Sequence, residues 1–198
     1  MSQILVTGFE PFAGAKLNPS ELIIQELTGD PDLVPVVLPV SYERASAELT
    51  TLIEELRPQA VICLGQAEGR DSISIERVAV NLDDAKLADN DGDERHDSSI
   101  VEGGVTAYFT SLPVAEMLNA GREAGVEVKV SLSAGTFVCN HIFYILQRAL
   151  AGHDVPSGFI HVPLIDEQAE DFPGKPTISL QDQVRAIRAM LKVLKKEI

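Results

Sequence analysis

Cys139 is the residue of this sequence best placed to do chemistry. It stands in the run SAGTFVCNH, residues 133–141, where a Gly/Thr turn gives way to an apolar segment with helical spacing. The start of a helix presents unpaired N–H groups and a partial positive charge, and both favour a thiolate. The pattern indicates a nucleophilic cysteine; the alternative is a small buried hydrophobe, as for any free cysteine.

A nucleophilic cysteine needs a base, which is usually a histidine. His96 and His153 lie in polar stretches and are interpreted as solvated residues, while His141 is on the same predicted helix as Cys139 but does not face it. His161 lies near the carboxyl end of a predicted strand, the usual place for catalytic groups in a parallel sheet. It is therefore the candidate base, with a core histidine bonded to a backbone carbonyl as the alternative.

A third group often orients the histidine, and Glu76 is the candidate for that task. It interrupts the apolar alternation of residues 73–81. The alternative is an exposed strand position paired with Arg77 or with a cross-strand neighbour. Cys63, by contrast, lies inside the apolar run 60–64 and is interpreted as a core thiol.

The elements that must position these residues alternate between strands and helices. Strands are predicted at 4–6, 34–40, 60–64, 126–132 and 159–162, with an antiparallel or hairpin strand at 73–81. Helices are predicted at 20–27 with Ser20 as N-cap, and at 42–56, 114–124, 138–151 and 180–197. This order predicts one α/β domain over residues 1–198, with a mostly parallel sheet covered on both faces. The acidic stretch 83–99 is predicted to be an exposed, solvated flap.

Composition and spacing exclude several classes of function. A net charge of -14 argues against a nucleic-acid partner. The glycines after the first strand lack nucleotide-binding spacing. A calcium loop around residues 89–93 would place Leu87 and Ser98 where acidic ligands are required. The apolar part of the amino terminus is too short for a signal peptide, no run has the length of a membrane span, and two cysteines without a secretory signal indicate free thiols in a reducing cytoplasm.

Four blocks together resemble the pyroglutamyl peptidase I family, also called pyrrolidone-carboxylate peptidases. They are VTGFEPF with NPS (6–12 and 18–20), GQAEGR running to ERVAVN (65–70 and 76–81), AGTFVCNH (134–141) and GFIHVP (158–163). The resemblance implies a cytoplasmic cysteine peptidase that removes an N-terminal pyroglutamyl residue through a thioester, without metal or cofactor. It also implies a three-layer α/β/α sandwich with a twisted mixed sheet, related to purine nucleoside phosphorylases, and a homotetramer.

The resemblance also assigns site residues. It places the catalytic Glu–Cys–His triad on Glu76, Cys139 and His161. It places the following residues at the substrate pocket, as apolar walls or as polar and loop-bracing groups: Phe9, Phe12, Asn18, Gln66, Phe137 and Val138.

Two departures from the family pattern bear on activity. Glu68 stands where the family usually has glycine, and Lys86 where it typically has an arginine thought to assist at the active site. Lysine keeps the charge but loses the planar fork of arginine. The alternative function is therefore an impaired relative that binds pyroglutamyl peptides or related lactams. A nucleoside-processing enzyme of the related fold lacks any base-site or phosphate-site signature here.

Overall fold

A six-stranded mixed sheet forms the centre of the protein. The computed structural model describes residues 3–197, so residues 1, 2 and 198 of the predicted domain lie outside it. The sheet has the order β2-β1-β3-β8-β4-β7. Its strands are β1 (Ile4–Phe9), β2 (Leu33–Leu38), β3 (Ala60–Gln66), β4 (Ile73–Glu76), β7 (Val128–Ser131) and β8 (Ser157–Val162); β5 (Val78–Val80) and β6 (Ala107–Phe109) form a separate antiparallel pair.

Among residues 3–197, five helices cover the two faces of this sheet. They are α1 (Pro19–Leu27), α2 (Tyr42–Leu56), α3 (Val114–Glu123), α4 (Val138–Ala149) and α5 (Leu180–Glu197), with a short 3₁₀ helix at Asp166–Gln168. Helices α2 and α4 pack together on one face, and α1, α3 and α5 on the other. The three-layer α/β/α class is thus confirmed. No helix in the described part of the chain is both long and apolar enough to cross a membrane.

The central strands separate two apolar cores because alternate residues point to opposite faces. On β3, Ile62 and Leu64 belong to the core beneath α1, α3 and α5. Cys63, between them, belongs to the core beneath α2 and α4. Burial on both faces explains the continuous apolar run of β3, and it confirms Cys63 as a core thiol with no exposed surface.

The single strand predicted at residues 73–81 is wrong. The chain leaves the main sheet at Arg77, whose N–H donates to Ser131 O and whose carbonyl accepts from Thr110 N. Strand β4 is parallel to β7 and antiparallel to β8, whereas β5 pairs with β6. The apolar alternation changes phase here, from odd-numbered to even-numbered positions, and that change marks the break.

Two local predictions need correction. Helix α1 is capped by Asn18, not by Ser20: the Asn18 side chain accepts from Ser20 N, and Pro19 occupies the first helical position. The acidic stretch 83–99 is irregular and mostly exposed, as predicted, but two buried side chains anchor it, so it is not solvated throughout. Asp83 and Asp89 are buried, and Asp89 Oδ2 accepts from Tyr42 N at the start of α2 at 2.9 Å.

Candidate active site

Cys139 is the second residue of α4 and its side chain lies against β3. The helix begins at Val138 without a side-chain cap, so first-turn N–H groups remain available. A methyl group at Gly65 would stand only 2.8 Å from Cys139 Sγ. The missing side chain at Gly65 therefore makes the space that the thiol occupies.

His161 lies on the same face of the sheet, beside the same glycine. It is the register partner of Gly65 across the β3–β8 pair, and partners in adjacent strands project from the same face. Ser74 of β4 pairs with His161, so Glu76, two residues further on, also shares this face. His161 Nδ1 and Glu76 Oε1 are 2.7 Å apart, and both side chains are buried. The fold thus brings together the three residues predicted as a triad.

The electrostatics of this site favour the neutral forms of Cys139 and His161. Burial raises the pKa of the Cys139 thiol to about 12, and the nearby Glu76 carboxylate adds to the rise. Burial also lowers the pKa of His161, against the opposing effect of Glu76. This differs from the thiolate expected at a helix start: desolvation and a neighbouring anion outweigh the partial charge of the helix terminus. Both shifts favour a thiol and a neutral imidazole over a thiolate–imidazolium pair.

Arg70 joins this group, although the sequence assigned it no role. Its Nη1 is 2.7 Å from Glu76 Oε1, the same oxygen that meets His161. Its Nη2 donates to Ser133 O at 3.1 Å, in the loop that leads to α4. The other oxygen, Glu76 Oε2, is buried with no hydrogen-bond partner among the described residues. The sequence offered one signal for Arg70, which is its position in the loop between β3 and β4, the strands that carry Gly65 and Glu76.

A narrow cavity opens beside Cys139, and six of the seven residues predicted to bind the substrate line it. Its lining comprises Phe9, Phe12, Asn18, Val40, Gln66, Phe137, Val138 and Cys139. The rings of Phe12 and Phe137 lie 6.1 Å apart across it. The free volume is about 20 Å³, close to the space that one water molecule needs.

The two polar residues of the lining also brace loops. Asn18 Nδ2 donates to Glu10 O at 2.9 Å, while its Oδ1 accepts from both the N–H and the hydroxyl of Ser20. Gln66 Oε1 accepts from Gln168 Nε2 at 3.0 Å. Both residues therefore fix the walls of the cavity through contacts with neighbouring loops.

Lys86, the seventh predicted binding residue, lies elsewhere. Its side chain is exposed, and it takes part in none of the ion pairs among residues 3–197. Its neighbour Leu87 lines a larger cleft of about 470 Å³, which also includes Phe12 and Gln66 from the narrow cavity. Lys86 is thus near this cleft along the chain, without a contact that would define its role.

The two residues after Cys139 hold α4 in place, a task that the sequence did not reveal. Asn140 Nδ2 donates to Val80 O and to Leu82 O, and its Oδ1 accepts from Val80 N. His141 is buried, with Nδ1 2.8 Å from Asp83 Oδ2 and Nε2 3.0 Å from Ser46 Oγ. His141 does point away from Cys139, as its spacing predicted.

No group of three or more His, Cys, Asp and Glu side chains within residues 3–197 is arranged to hold a metal ion.

Comparisons with known proteins agree with this arrangement. Residues 2–197 match the family model described as pyroglutamyl peptidase. A pyrrolidone-carboxylate peptidase of Bacillus cereus is 42% identical over 199 residues, spanning 98% of this chain and 93% of the relative; one of Bacillus mycoides is 41% identical with the same coverage. A mutant pyrrolidone carboxyl peptidase of Pyrococcus furiosus has a similar structure, with a TM-score of 0.93 at 40% identity over 98% of this chain and 99% of that one. The chain belongs to the pyroglutamyl peptidase family.

Proposed function

We propose that this protein is a cysteine peptidase that hydrolyses the bond after an N-terminal pyroglutamyl residue. One observation carries the proposal: the buried Glu76–His161 pair and the Cys139 thiol flank the same glycine beside an apolar cavity. Family membership supports the same activity. Glu76, Cys139 and His161 are the proposed catalytic residues.

The narrow cavity is proposed to hold the pyroglutamyl ring. A lactam is small and uncharged, and Phe9, Phe12, Phe137 and Val138 supply the apolar walls that such a ring requires. A free, charged amino terminus would be costly to bury there, which favours blocked peptides. Because the free volume is close to that of one water molecule, we expect the half-buried Phe12 to turn aside as the ring enters.

The proposed chemistry is acyl transfer. The Cys139 proton passes to the free nitrogen of His161, whose Nδ1–H then donates to Glu76. The thiolate attacks the pyroglutamyl carbonyl, and the oxyanion accepts hydrogen bonds from first-turn N–H groups of α4. His161 returns the proton to the leaving amine, which leaves a thioester. Water, giving its proton to His161, then hydrolyses the thioester and regenerates the thiol.

Lys86 is proposed to act at the edge of the larger cleft, through the position of its neighbour Leu87. Arginine at this position offers a planar fork that lysine lacks. We expect Lys86→Arg to raise kcat/KM or to leave it unchanged; a collapse of kcat/KM would assign Lys86 a specialised role of its own.

The activity is tested by release of a chromophore from a pyroglutamyl arylamide under reducing conditions. We expect turnover by the wild type and none by Cys139→Ser, while the matched variant Cys63→Ser retains turnover because Cys63 is a core thiol. A folded wild type that binds the substrate without turning it over would instead support the alternative, a binding protein for pyroglutamyl peptides or lactams.

The chain is further proposed to form a single domain that assembles with copies of itself. The pairing of β1 with both β2 and β3 and the packing of α5 against α1 and α3 support one domain over residues 1–198. An exposed apolar patch, defined by Phe109, Val130 and Leu132, supports a homo-oligomer such as a tetramer. The two free cysteines are consistent with a reducing cytoplasmic location, which cell fractionation would test.

A further inference from the structure

The larger cleft beside the narrow cavity has a built, hydrogen-bonded floor; we call it the outer cleft. The loop 12–17 after β1, the end of β3 and residues 168–172 form its walls. Gln168 is buried, and its Nε2 donates to Gln66 Oε1 at 3.0 Å and to Leu17 O at 3.3 Å. One side chain thus ties together the three segments that shape the cleft.

The outer cleft adjoins the cavity that is lined by Cys139. Phe12 and Gln66 line both spaces. A substrate with its ring in the narrow cavity and its carbonyl at Cys139 must direct the rest of its chain outward. The outer cleft is the adjoining space, and its volume of about 470 Å³ lies in the range of roughly 300–1,000 Å³ typical of sites for drug-sized ligands.

The composition of the outer cleft suits a peptide of mixed sequence. Phe12, Phe172 and Leu87 offer apolar surface. Charges at the rim are balanced: Lys16 and Asp171 line the cleft, and Glu68 pairs with Lys175 at 3.1 Å. The cleft therefore presents contacts for side chains and backbone without a dominant sign of charge.

We propose that the outer cleft is the subsite for the two or three residues that follow the pyroglutamyl residue of the substrate. This rests on the proposed function, because it assumes that the ring occupies the narrow cavity. Binding energy gained in the outer cleft positions the scissile carbonyl at Cys139, so longer peptides are better substrates than a simple amide. The balanced rim predicts little preference between acidic and basic residues.

The test compares two substrates that differ only on the leaving side. Pyroglutamyl-amide releases ammonia and leaves the outer cleft empty, whereas a pyroglutamyl tripeptide amide fills it. The variants are Ala15→Trp, which obstructs the cleft, and Phe172→Ala, which removes a wall. Their matched controls are Ala47→Trp and Leu56→Ala, both on the exposed surface of α2.

We expect the wild type to prefer the tripeptide by at least tenfold in kcat/KM. Ala15→Trp and Phe172→Ala should each reduce that preference at least fivefold, while kcat/KM for pyroglutamyl-amide stays within twofold and the controls retain the preference. No preference in the wild type, or one that both cleft variants retain, overturns the subsite. If the wild type hydrolyses neither substrate, the proposed function fails, which is a distinct result.

A second, independent observation concerns the two contacts of Arg70. Its guanidinium meets the same Glu76 oxygen as His161, and its other nitrogen holds Ser133 O in the loop before α4. We infer that Arg70 is a positioning residue, which fixes the Glu76 carboxylate on His161 and ties it to the loop that leads to Cys139. This too rests on the proposed function.

The charged and titratable groups that meet here are Arg70, Glu76, His161 and Cys139, with Cys63 behind Cys139. The positive charge of Arg70 lowers the pKa of both His161 and Cys139, although burial has the larger effect on each. Removing that charge should therefore raise both pKa values. Both limbs of the pH profile of kcat/KM would then move to higher pH.

The experiment measures kcat/KM from pH 5 to 10 for the wild type, Arg70→Gln, Arg70→Lys and the control Arg44→Gln, which breaks an exposed ion pair with Asp91. We expect Arg70→Gln to lose at least tenfold at pH 7 and to shift both limbs upward. Arg70→Lys keeps the charge, so its limbs should stay in place with a lower plateau. An unshifted Arg70→Gln profile overturns the inference; if that variant does not fold, shifted limbs in Arg70→Lys overturn it.

Discussion

At the scale of single residues, surroundings separate two cysteines that are chemically identical. Cys63 lies in the middle of β3 with no exposed surface, and burial raises its pKa to about 12. Cys139 has a similarly raised pKa, yet it is half-buried and borders a cavity. Cys139 differs from Cys63 because a substrate can reach it from the cavity and because His161 lies on the same face of the sheet as a proton acceptor. An intrinsically low pKa of the thiol is not the difference.

Thiol labelling tests that distinction. Because burial and Glu76 raise the pKa of Cys139, we expect iodoacetamide to label it slowly at pH 7 and faster as pH rises, since the thiolate is the reactive form. A chloromethyl ketone of pyroglutamate should label it much faster at the same pH. Cys63 should stay unlabelled in both cases, with Cys139→Ser as the control; labelling of Cys139 with a midpoint well below pH 8 would show that the resting form is a thiolate.

A second prediction at the scale of single residues concerns the effect of a side chain at Gly65. A methyl group there would stand 2.8 Å from both Cys139 Sγ and the edge of the Phe159 ring. Gly65→Ala should displace the thiol and lower kcat/KM by about 100-fold, the cost of a misplacement near 1 Å. Gly121→Ala creates a similar clash against Val128 and Met190 on the opposite face. It should lower the unfolding midpoint but retain kcat/KM; equal activity losses in the two variants would contradict a local effect.

At the scale of elements, the position of α4 decides whether Cys139 meets His161. Three consecutive side chains leave the first turn in different directions: Cys139 toward β3, Asn140 to the backbone of β5 and Leu82, and His141 to Asp83 and Ser46. Asp83 also accepts from Arg95 at 3.0 Å. The acidic stretch 83–99 is therefore a clamp that joins α4 to α2.

Breaking this clamp should cost stability. Asp83→Ala leaves the buried His141 Nδ1 without its hydrogen-bond partner and leaves Arg95 with Asp93 alone, and an unsatisfied buried polar group costs roughly 1–3 kcal/mol. Asp91→Ala removes an exposed pair with Arg44 from the same stretch and should change little. Urea unfolding followed by circular dichroism measures both; equal midpoints would show that Asp83 does not clamp the helices.

At the scale of the whole molecule, the surface has exposed apolar side chains on β6 and at the end of β7. Phe109, Val130 and Leu132 are 68%, 44% and 74% exposed. The backbone segments that carry them are linked through Arg77, whose N–H donates to Ser131 O and whose carbonyl accepts from Thr110 N. Strand β7 is moreover an edge of the sheet. Exposed apolar surface at a sheet edge is typical of an interface between subunits.

Light scattering after size-exclusion chromatography tests this surface. We expect the wild type to elute as a multiple of the 21.4 kDa chain. The double variant Phe109→Ser, Leu132→Ser should shift it toward the monomer, because it removes the two most exposed side chains of the patch. Leu56→Ser on α2 is the matched control. A monomeric wild type would contradict the proposed assembly.

The sequence by itself determined the layer architecture, the family and the identity of the three predicted catalytic residues. Apolar periodicity sets which face of each helix and strand is buried, and the motifs around Cys139 and His161 are local in the chain. Periodicity alone did not predict the break at Arg77, because a change of phase does not say that the following strand joins a separate sheet.

Only the tertiary structure decided how distant residues act on one another. Arg70 meets Glu76, Gln168 joins the loop 12–17 to the end of β3, and two buried aspartates of the acidic stretch contact α2 and α4. Each contact joins elements that the topology brings together, so no local pattern encodes it. The same holds for the raised pKa of Cys139: a helix start favours the anion, but burial beside Glu76 outweighs it, and burial is a property of the folded chain.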